Sequence, residues 1–346
     1  MCTGIRLGCD NGYVAGRTCE FGLILEYDAL FLPVGTQYTC AIPGSSGKEW
    51  TSAHAVVGMA TFGCLAIMDG INDAGLMAAA FYFPGQAEYA EAAQTDPSRA
   101  VNPSELPSYL LATCATIDEA LAAIADITVV DVPVHGWGPA APPLHYLIID
   151  TQGRTVALEP TKAGSLQVTE NPTGAFTNSP DLPFHLLNLT QYMNISPETL
   201  QQSDVFGTTI TATGMGSGGL GLPGDYSPPS RFVRAAFFAA SHPTPATTFD
   251  GVEELFHLLN AFDIPMGAAQ AGGSSDFTQV TVVRDSHELS YAWRSYADQQ
   301  IRQVNLRQLI ETAKAPVRIV ISPITGDESS INDVTGNLIN SPVATS

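Results

Sequence analysis

Basic residues are scarce in this sequence. Its 346 residues include 14 Lys and Arg against 34 Asp and Glu, which gives a formal net charge of −20. Only three of the basic residues are lysines: Lys48, Lys162 and Lys314. Proteins that bind nucleic acids neutralise phosphates with Lys and Arg, and anionic membrane surfaces attract the same side chains. The composition therefore argues against a nucleic acid or a membrane surface as a partner.

Long apolar stretches are also missing. A membrane helix needs about 18 consecutive apolar residues, and the longest candidate, residues 54–68, is interrupted by Gly58, Thr61 and Gly63. The first residues, Met-Cys-Thr-Gly-Ile-Arg, lack the basic and apolar regions of a signal peptide. We therefore expect a cytoplasmic protein. The apolar fraction of 45% is typical of a folded globular domain.

Motifs for metals and cofactors are absent as well. No C-x-x-C joins any of the six cysteines, and no H-x-x-x-H joins any of the seven histidines. Residues 214–219 match G-x-G-x-x-G, but Leu-Pro-Gly follows where a nucleotide fold needs a helix. Residues 69–73, Asp-Gly-Ile-Asn-Asp, resemble an EF-hand loop only superficially, because they lack its spacing and its terminal Glu, and they predict a turn. We expect no metal and no cofactor, and we expect the cysteines other than Cys2 to be small buried apolar residues.

Apolar runs separated by Gly and Pro predict strands first, then helices, then strands again. The predicted strands are residues 21–27, 30–34, 53–61, 76–83, 144–150, 155–159, 278–284, 288–294 and 317–321. The predicted helices are residues 104–113, 117–127, 182–193, 228–240 and 250–262, the second opened by a Thr116-Ile-Asp-Glu119 capping box and the last capped by Asp250. This order favours antiparallel sheets covered by helices in a single domain over residues 1–325, followed by a polar tail over residues 326–346.

Cys2 could combine two catalytic functions. A small residue at position 2 favours removal of Met1, which would leave a thiol and a free α-amine on one residue. The amine, with a pKa near ~7.7–8.0, can act as a base, and the thiol is a strong nucleophile. A papain-like Cys–His pair stays open, because such partners need not be near in sequence.

Six short motifs, in order along the chain, resemble the choloylglycine hydrolase family. They are Met-Cys2-Thr3, Gly16-Arg17-Thr18 with Glu20-Phe21, Asp69-Gly-Ile-Asn72, Tyr82-Phe-Pro-Gly85, Thr177-Asn178-Ser179-Pro180, and Gly221-Leu-Pro-Gly-Asp-Tyr-Ser-Pro-Pro-Ser-Arg231-Phe232. The family contains penicillin V acylases and conjugated bile salt hydrolases, which are N-terminal nucleophile (Ntn) hydrolases. The resemblance spans residues 2 to about 310. It implies an α+β fold, a four-layer αββα sandwich of two antiparallel sheets flanked by helices.

The resemblance also implies an activity and a set of roles. The activity is hydrolysis of a linear, non-peptide C–N amide bond in a small molecule, commonly by a homotetramer. By position, Cys2 would be the nucleophile and its α-amine the proton acceptor, while Arg17 would lie beside the thiolate. Asn178 and the Tyr82 backbone would stabilise the oxyanion, and Arg231 would orient the site.

Two positions refine the expectation. The family usually has Asp where this chain has Glu20, whose carboxylate would hold the α-amine of Cys2. Penicillin V acylases tend to have Tyr at the position of Tyr82 and bile salt hydrolases tend to have Asn. We therefore favour a penicillin V acylase-like amidase over a bile salt hydrolase or an acyl-homoserine-lactone acylase. Glu20 is also the one feature that favours a different class, a catalytically inactive relative that binds small molecules.

Overall fold

The computed structural model describes residues 1–134 and 136–326, so the tail predicted over residues 326–346 lies, except for its first residue, outside the described residues. In chain order the strands are β1 (Cys2–Cys9), β2 (Gly12–Phe21), β3 (Tyr27–Leu32), β4 (Gln37–Ile42), β5 (Ser45–Thr51), β6 (Val56–Thr61), β7 (Ile67–Asn72), β8 (Met77–Tyr82), β9 (Ala90–Glu91), β10 (Ala100–Val101), β11 (Thr128–Asp131), β12 (Leu144–Ile149), β13 (Thr155–Lys162), β14 (Ser165–Glu170), β15 (Gln202–Val205), β16 (Thr208–Thr211), β17 (Ala269–Ala271), β18 (Ser274–Asp285), β19 (Ser290–Ser295), β20 (Arg302–Asn305) and β21 (Val317–Ile321). The α-helices are α1 (Leu106–Thr113), α2 (Ile117–Ile124), α3 (Leu182–Asn188), α4 (Pro228–Ser241), α5 (Thr248–Asn260) and α6 (Leu306–Thr312).

Two large antiparallel sheets form the centre of the protein. The first has six strands in the order β1-β2-β18-β19-β20, with β17 paired to β18. The second has eight strands in the order β14-β13-β12-β8-β7-β6-β3-β21. The N-terminal strand β1 lies at the edge of the six-stranded sheet, so Cys2 begins an edge strand.

The central strands of the eight-stranded sheet are buried on both faces, and β8 shows why the sequence of such a strand is almost entirely apolar. Side chains alternate between the faces of a strand. Met77, Ala79 and Phe81 belong to the core that includes side chains of both sheets. Ala78 and Ala80 point the other way, into a second core that includes α1 and α2. An uninterrupted apolar run is therefore what this strand requires.

Helices cover the outer face of each sheet. α4 and α5 pack on the six-stranded sheet through Phe232, Leu255 and Leu259, which join the core that contains β1, β2 and β18. α1 and α2 pack on the eight-stranded sheet through Leu110 and Ile117. The layers follow the order helix, sheet, sheet, helix, which confirms the α+β, αββα architecture that the motifs implied. No helix in the described ranges is both long enough and apolar enough to span a bilayer.

Several predicted elements are confirmed and three are wrong. The 317–321 strand and the Thr116 cap, whose hydroxyl accepts from the Glu119 N–H at 3.2 Å, are as predicted. The 21–27 strand is wrong, because β2 ends at residue 21 and residues 22–26 carry the chain from one sheet to the other. The 69–73 turn is wrong as well, since residues 69–72 belong to β7. The cap of α5 is Thr247, not Asp250, because the Thr247 hydroxyl accepts from the Asp250 N–H.

Candidate active site

Cys2 is the first residue of β1, and its side chain is fully buried. The antiparallel pairing of β1 and β2 places Cys2 opposite Cys19, and Gly4 opposite Arg17. The Arg17 Nη2 donates to both sulfur atoms, at 3.1 Å to the Cys2 Sγ and 2.7 Å to the Cys19 Sγ. One buried cation therefore binds two thiols on neighbouring strands.

The surroundings of Cys2 favour its thiolate form. Burial raises the pKa of a thiol, but the Cys19 side chain, the positive charges of Arg17 and of the amino terminus, and a Tyr82 backbone hydrogen bond outweigh it. Together they hold the pKa of the Cys2 thiol well below its usual value. The hydrogen bond to Cys2, with burial, raises the pKa of the Cys19 thiol well above its usual value. These surroundings therefore favour the thiolate form at Cys2 and the thiol form at Cys19.

Arg17 is held between the two sheets. The Asp69 Oδ2, on β7, lies 3.8 Å from the Arg17 Nε and 3.4 Å from the Arg284 Nη1. The Arg17 Nη1 donates to the Ala80 carbonyl oxygen, and the guanidinium carbon lies 4.6 Å from the centre of the Phe81 ring. Burial disfavours the charge, but the two thiols and Asp69 more than offset it and raise the pKa of Arg17. Arg17 is thus a permanent cation with a fixed position beside the sulfur.

A hydrogen-bond network links the Cys2 backbone to Asn178 and Arg231. The Cys2 N–H donates to the Asn178 Oδ1 at 2.8 Å, and the Asn178 Nδ2 donates to the Tyr82 carbonyl oxygen at 2.6 Å. Arg231, in the first turn of α4, donates to the Asn178 Oδ1 at 2.7 Å, to the Thr3 hydroxyl at 2.7 Å and to the Cys2 carbonyl oxygen. Because Oδ1 accepts twice, the amide of Asn178 is oriented with its N–H groups toward Tyr82.

Two buried histidines hold the main chain around Asn178. The His145 Nε2 donates to the Thr177 carbonyl oxygen at 3.1 Å, and the His185 Nε2 donates to the Asn178 carbonyl oxygen at 2.8 Å. Burial lowers the pKa of His185 to about 4, so this ring is neutral at pH 7. Within the described part of the chain, neither ring hydrogen-bonds to the Cys2 sulfur. Among the residues that the structure describes, no histidine therefore forms a papain-like pair with Cys2.

Glu20 lies at the end of β2 and is fully buried. Its Oε1 accepts from the Thr278 hydroxyl at 2.9 Å, whereas its Oε2 has no hydrogen-bond partner among the described residues. Burial raises the pKa of Glu20 to about 7, with a lowering effect from the amino terminus and a raising effect from Cys2. The carboxyl group is thus close enough to the amino terminus and to the thiol to respond to both charges.

Comparison with known proteins identifies the family. Residues 2–315 match the family described as linear amide C–N hydrolases, choloylglycine hydrolase family. The chain belongs to the choloylglycine hydrolase family. This membership makes the protein a linear amide C–N hydrolase, as the six motifs implied, and Cys2 fits the N-terminal nucleophile of an Ntn hydrolase.

Curated relatives and solved structures agree with this membership. The bile salt hydrolase/transferase of Clostridium perfringens is 29% identical over 317 residues, covering 89% of this chain and 93% of the relative. That of Bifidobacterium longum subsp. longum is 31% identical over 304 residues, covering 87% and 94%. A crystal structure of a cysteine-to-alanine mutant of conjugated bile acid hydrolase from Clostridium perfringens has a TM-score of 0.83 at 26% identity, covering 97% of this chain and 100% of that one. Penicillin V acylase from Agrobacterium tumefaciens shares the fold, with a TM-score of 0.74 at 18% identity and coverage of 92% and 90%.

An aromatic cluster lies beside Cys2. The Tyr82 ring centre is 5.6 Å from that of Phe21 and 5.9 Å from that of Trp137, and the last two are 5.2 Å apart. All three rings are partly exposed. Since the Tyr82 backbone contacts the Cys2 sulfur, the cluster forms an apolar wall close to Cys2.

The structure brings the residues predicted from sequence into one place. Cys2, Arg17, Tyr82, Asn178 and Arg231 are joined by direct hydrogen bonds, and Glu20 lies beside the amino terminus. Three neighbours escaped the sequence analysis: Cys19, which was expected to be only a small core residue, Thr278 and Arg284. Asp69 was noticed only as part of a motif. The two-residue spacing of Arg17 and Cys19, which puts both side chains on one face of a strand, is the signal that could have revealed Cys19.

Proposed function

We propose that the protein hydrolyses linear amides whose acyl group is flat and apolar, of the penicillin V type. The observation that supports this substrate class is the cluster of Phe21, Tyr82 and Trp137 beside Cys2. Aromatic contacts contribute about 0.5–1.5 kcal/mol each beyond the area they bury, which favours a phenoxy group over a saturated one.

Catalysis would begin once Met1 is removed, which places a free α-ammonium and a thiolate on Cys2. The thiolate attacks the amide carbonyl carbon, and N–H groups of Asn178 and of the Tyr82 backbone stabilise the oxyanion. The α-ammonium donates its proton to the departing amine, leaving a thioester on Cys2. The neutral amine then accepts a proton from the water that hydrolyses the thioester and releases the carboxylic acid.

The other polar groups would act on the charges of this cycle. Arg17 holds the sulfur in its anionic form before attack and after release of the acid. Glu20, whose Oε2 is unpaired among the described residues, would face the α-ammonium as its counter-charge. Arg231 orients Asn178 by occupying its Oδ1 together with the Cys2 N–H.

Amides of bile acids are the second candidate substrates. The observation in their favour is the name of the relatives at 29% and 31% identity, which are bile salt hydrolase/transferases. An apolar aromatic wall can also bind a steroid. The two candidates differ mainly in binding energy, because only a phenoxy group adds aromatic ring contacts to the burial of apolar surface. Acyl-homoserine lactones, whose acyl chains are flexible, gain least from such a wall.

A side-by-side assay tests the substrate class. The purified protein should be lighter by one methionine residue in intact mass, and its kcat/KM for penicillin V should exceed that for glycocholate and an acyl-homoserine lactone by about tenfold. The Trp137→Leu variant should reduce this preference, whereas Phe249→Leu, on the exposed surface of α5, should not. A higher kcat/KM for glycocholate would transfer the assignment to bile acid amides. An active protein that retains Met1 would contradict the role of the α-amine.

We also propose that the protein is a homo-oligomer, and a tetramer by family resemblance. The hairpin of β15 and β16 is exposed along its whole length, and the segment around it carries Met193, Phe206 and Met215, each more than 80% exposed. Large apolar side chains that are this exposed favour an interaction site on this segment. The mass in solution, measured by light scattering, should be four times that of the chain, and Phe206→Asp should lower it. A monomeric wild-type protein would refute the proposal.

A further inference from the structure

Cys19 is a second thiol inside the active site, and the proposed mechanism does not use it. It lies directly opposite Cys2 in the β1–β2 pair, so the two side chains project from the same face of the sheet. Directly opposed residues of antiparallel strands have Cα atoms about 4.5–5.5 Å apart, which is within the span that a disulfide bridges. Both side chains are buried, and both sulfurs accept from the same guanidinium nitrogen of Arg17.

The two sulfurs are suited to different steps of an oxidation. The Arg17 Nη2, 3.1 Å from the Cys2 sulfur, favours the thiolate of Cys2, and a thiolate is the form that attacks an electrophile. Cys19 remains protonated beside it, which is the state of a thiol that reacts second. Two other cysteines have surroundings that do not favour this chemistry. Burial and nearby acidic residues raise the pKa of Cys9 to about 11, and the Cys40 sulfur accepts a hydrogen bond from the Asn102 N–H.

We propose that Cys2 and Cys19 form a reversible disulfide when the protein meets hydrogen peroxide or a small organic hydroperoxide, and that this bond switches the hydrolase off. The proposal goes beyond the substrate assignment and rests on it only where Cys2 is taken as the nucleophile. Peroxide molecules are small enough to reach a site that also admits water for thioester hydrolysis.

The steps balance with one peroxide. The Cys2 thiolate attacks one oxygen, the O–O bond breaks, and Cys2 becomes a sulfenic acid with release of hydroxide. The hydroxide takes the proton of Cys19 as water, and the Cys19 thiolate attacks the Cys2 sulfur. The S–O bond breaks as the S–S bond forms, and the departing hydroxide takes up a proton from solvent. The two cysteines lose two electrons in total, which reduce hydrogen peroxide to two waters; with an organic hydroperoxide the first leaving group is an alkoxide, and the products are an alcohol and one water.

The disulfide has a chemical consequence for the enzyme. A sulfenic acid with no thiol nearby is oxidised further to sulfinic acid, which thiol reductants do not reverse. Cys19 is placed to intercept the sulfenic acid, because it lies directly opposite Cys2 and both sulfurs accept from the same Arg17 nitrogen. Inactivation of this protein would therefore be reversible. If an apolar residue stood in place of Cys19, Cys2 would be oxidised irreversibly.

The test treats the full-length protein with hydrogen peroxide, alkylates the remaining thiols and maps the peptides by mass spectrometry. We expect a Cys2–Cys19 disulfide, loss of hydrolysis, and recovery of most of the activity with dithiothreitol. The Cys19→Ala and Cys19→Ser variants, each compared with its own untreated activity, should recover less than about a tenth of it and carry sulfinic acid at Cys2. The matched control Cys64→Ala, at a half-buried loop position, should behave as the wild type.

The peptide map decides the proposal without an activity assay. Cys2 oxidised to sulfinic acid while Cys19 remains alkylated in the wild type would overturn it, and so would a disulfide between Cys2 and another cysteine. If the untreated protein hydrolyses none of the amides but the disulfide forms, the redox pair stands and the proposed substrates fail. If the untreated protein hydrolyses the amides but no disulfide forms, the proposed substrates stand and the redox pair fails. Because the wild-type map alone is decisive, poor folding of a Cys19 variant leaves the test intact.

Discussion

The Cys2→Ala variant is expected to lose amide hydrolysis, with kcat lowered by at least about 10⁴-fold, as found when a nucleophile is removed from a catalytic unit. Alanine is small enough to permit removal of Met1, so the variant retains the α-amine and its contact with Asn178. Arg17 also keeps its place, because Asp69, Ala80 and Phe81 hold it independently of the sulfur. Only the sulfur is missing, and the rate of amine release measures what it contributes.

A matched control separates this loss from a change in the fold. Cys114 is as buried as Cys2 but follows α1, in the core on the far side of the eight-stranded sheet. Cys114→Ala should leave kcat within about twofold, since a distant substitution does not couple to the reacting atoms. Thermal unfolding of both variants checks that they are folded. Activity of Cys2→Ala above about one part in a hundred would place the nucleophile on another residue.

The fold could be predicted from the sequence wherever local physical signals are strong. The Thr116 capping box and the 144–159 hairpin depend on neighbouring residues alone, and both were located correctly. The errors lie where long-range pairing decides. Residues 21–27 have strand composition throughout, yet they cross from one sheet to the other, which no local pattern reports. Likewise, the local sequence around Asp69 is typical of a turn. Its ion-pair partners Arg17 and Arg284 lie on the facing sheet, which the local sequence does not report.

The candidate site was predictable in part, for the same reason. The family motifs indicated the residues, but the contacts between them depend on strand register. Cys19 became visible only when β1 paired with β2, and Thr278, the partner of Glu20, only when β18 paired with β2. The shortage of basic residues also has a structural meaning here. Three of the 14, Arg17, Arg231 and Arg284, are at most 3% exposed and lie in or next to the site, so this acidic protein buries three cations close to Cys2.

The Asn178→Ala variant is expected to lower kcat by about 10²–10³-fold with little change in KM, the effect of removing one oxyanion donor. Arg231 would keep its position in this variant, since it retains its hydrogen bonds to the Thr3 hydroxyl and to the Cys2 carbonyl oxygen. The Asn178→Asp variant is the sharper test. It keeps an acceptor for the Cys2 N–H and for Arg231 but has no N–H to offer, so it should be at least as slow as Asn178→Ala.

Asn171 provides the control for a purely structural role. It lies seven residues earlier in the same segment, is equally buried, and its side chain bonds to Thr173, Gly174 and Ala175. Asn171→Ala should lower the unfolding temperature and leave kcat nearly unchanged. Single-turnover kinetics then locate the defect of the Asn178 variants, because thioester formation and thioester hydrolysis both pass through an oxyanion. Slowing of both steps by a similar factor is expected, and slowing of hydrolysis alone would assign Asn178 to positioning the water instead.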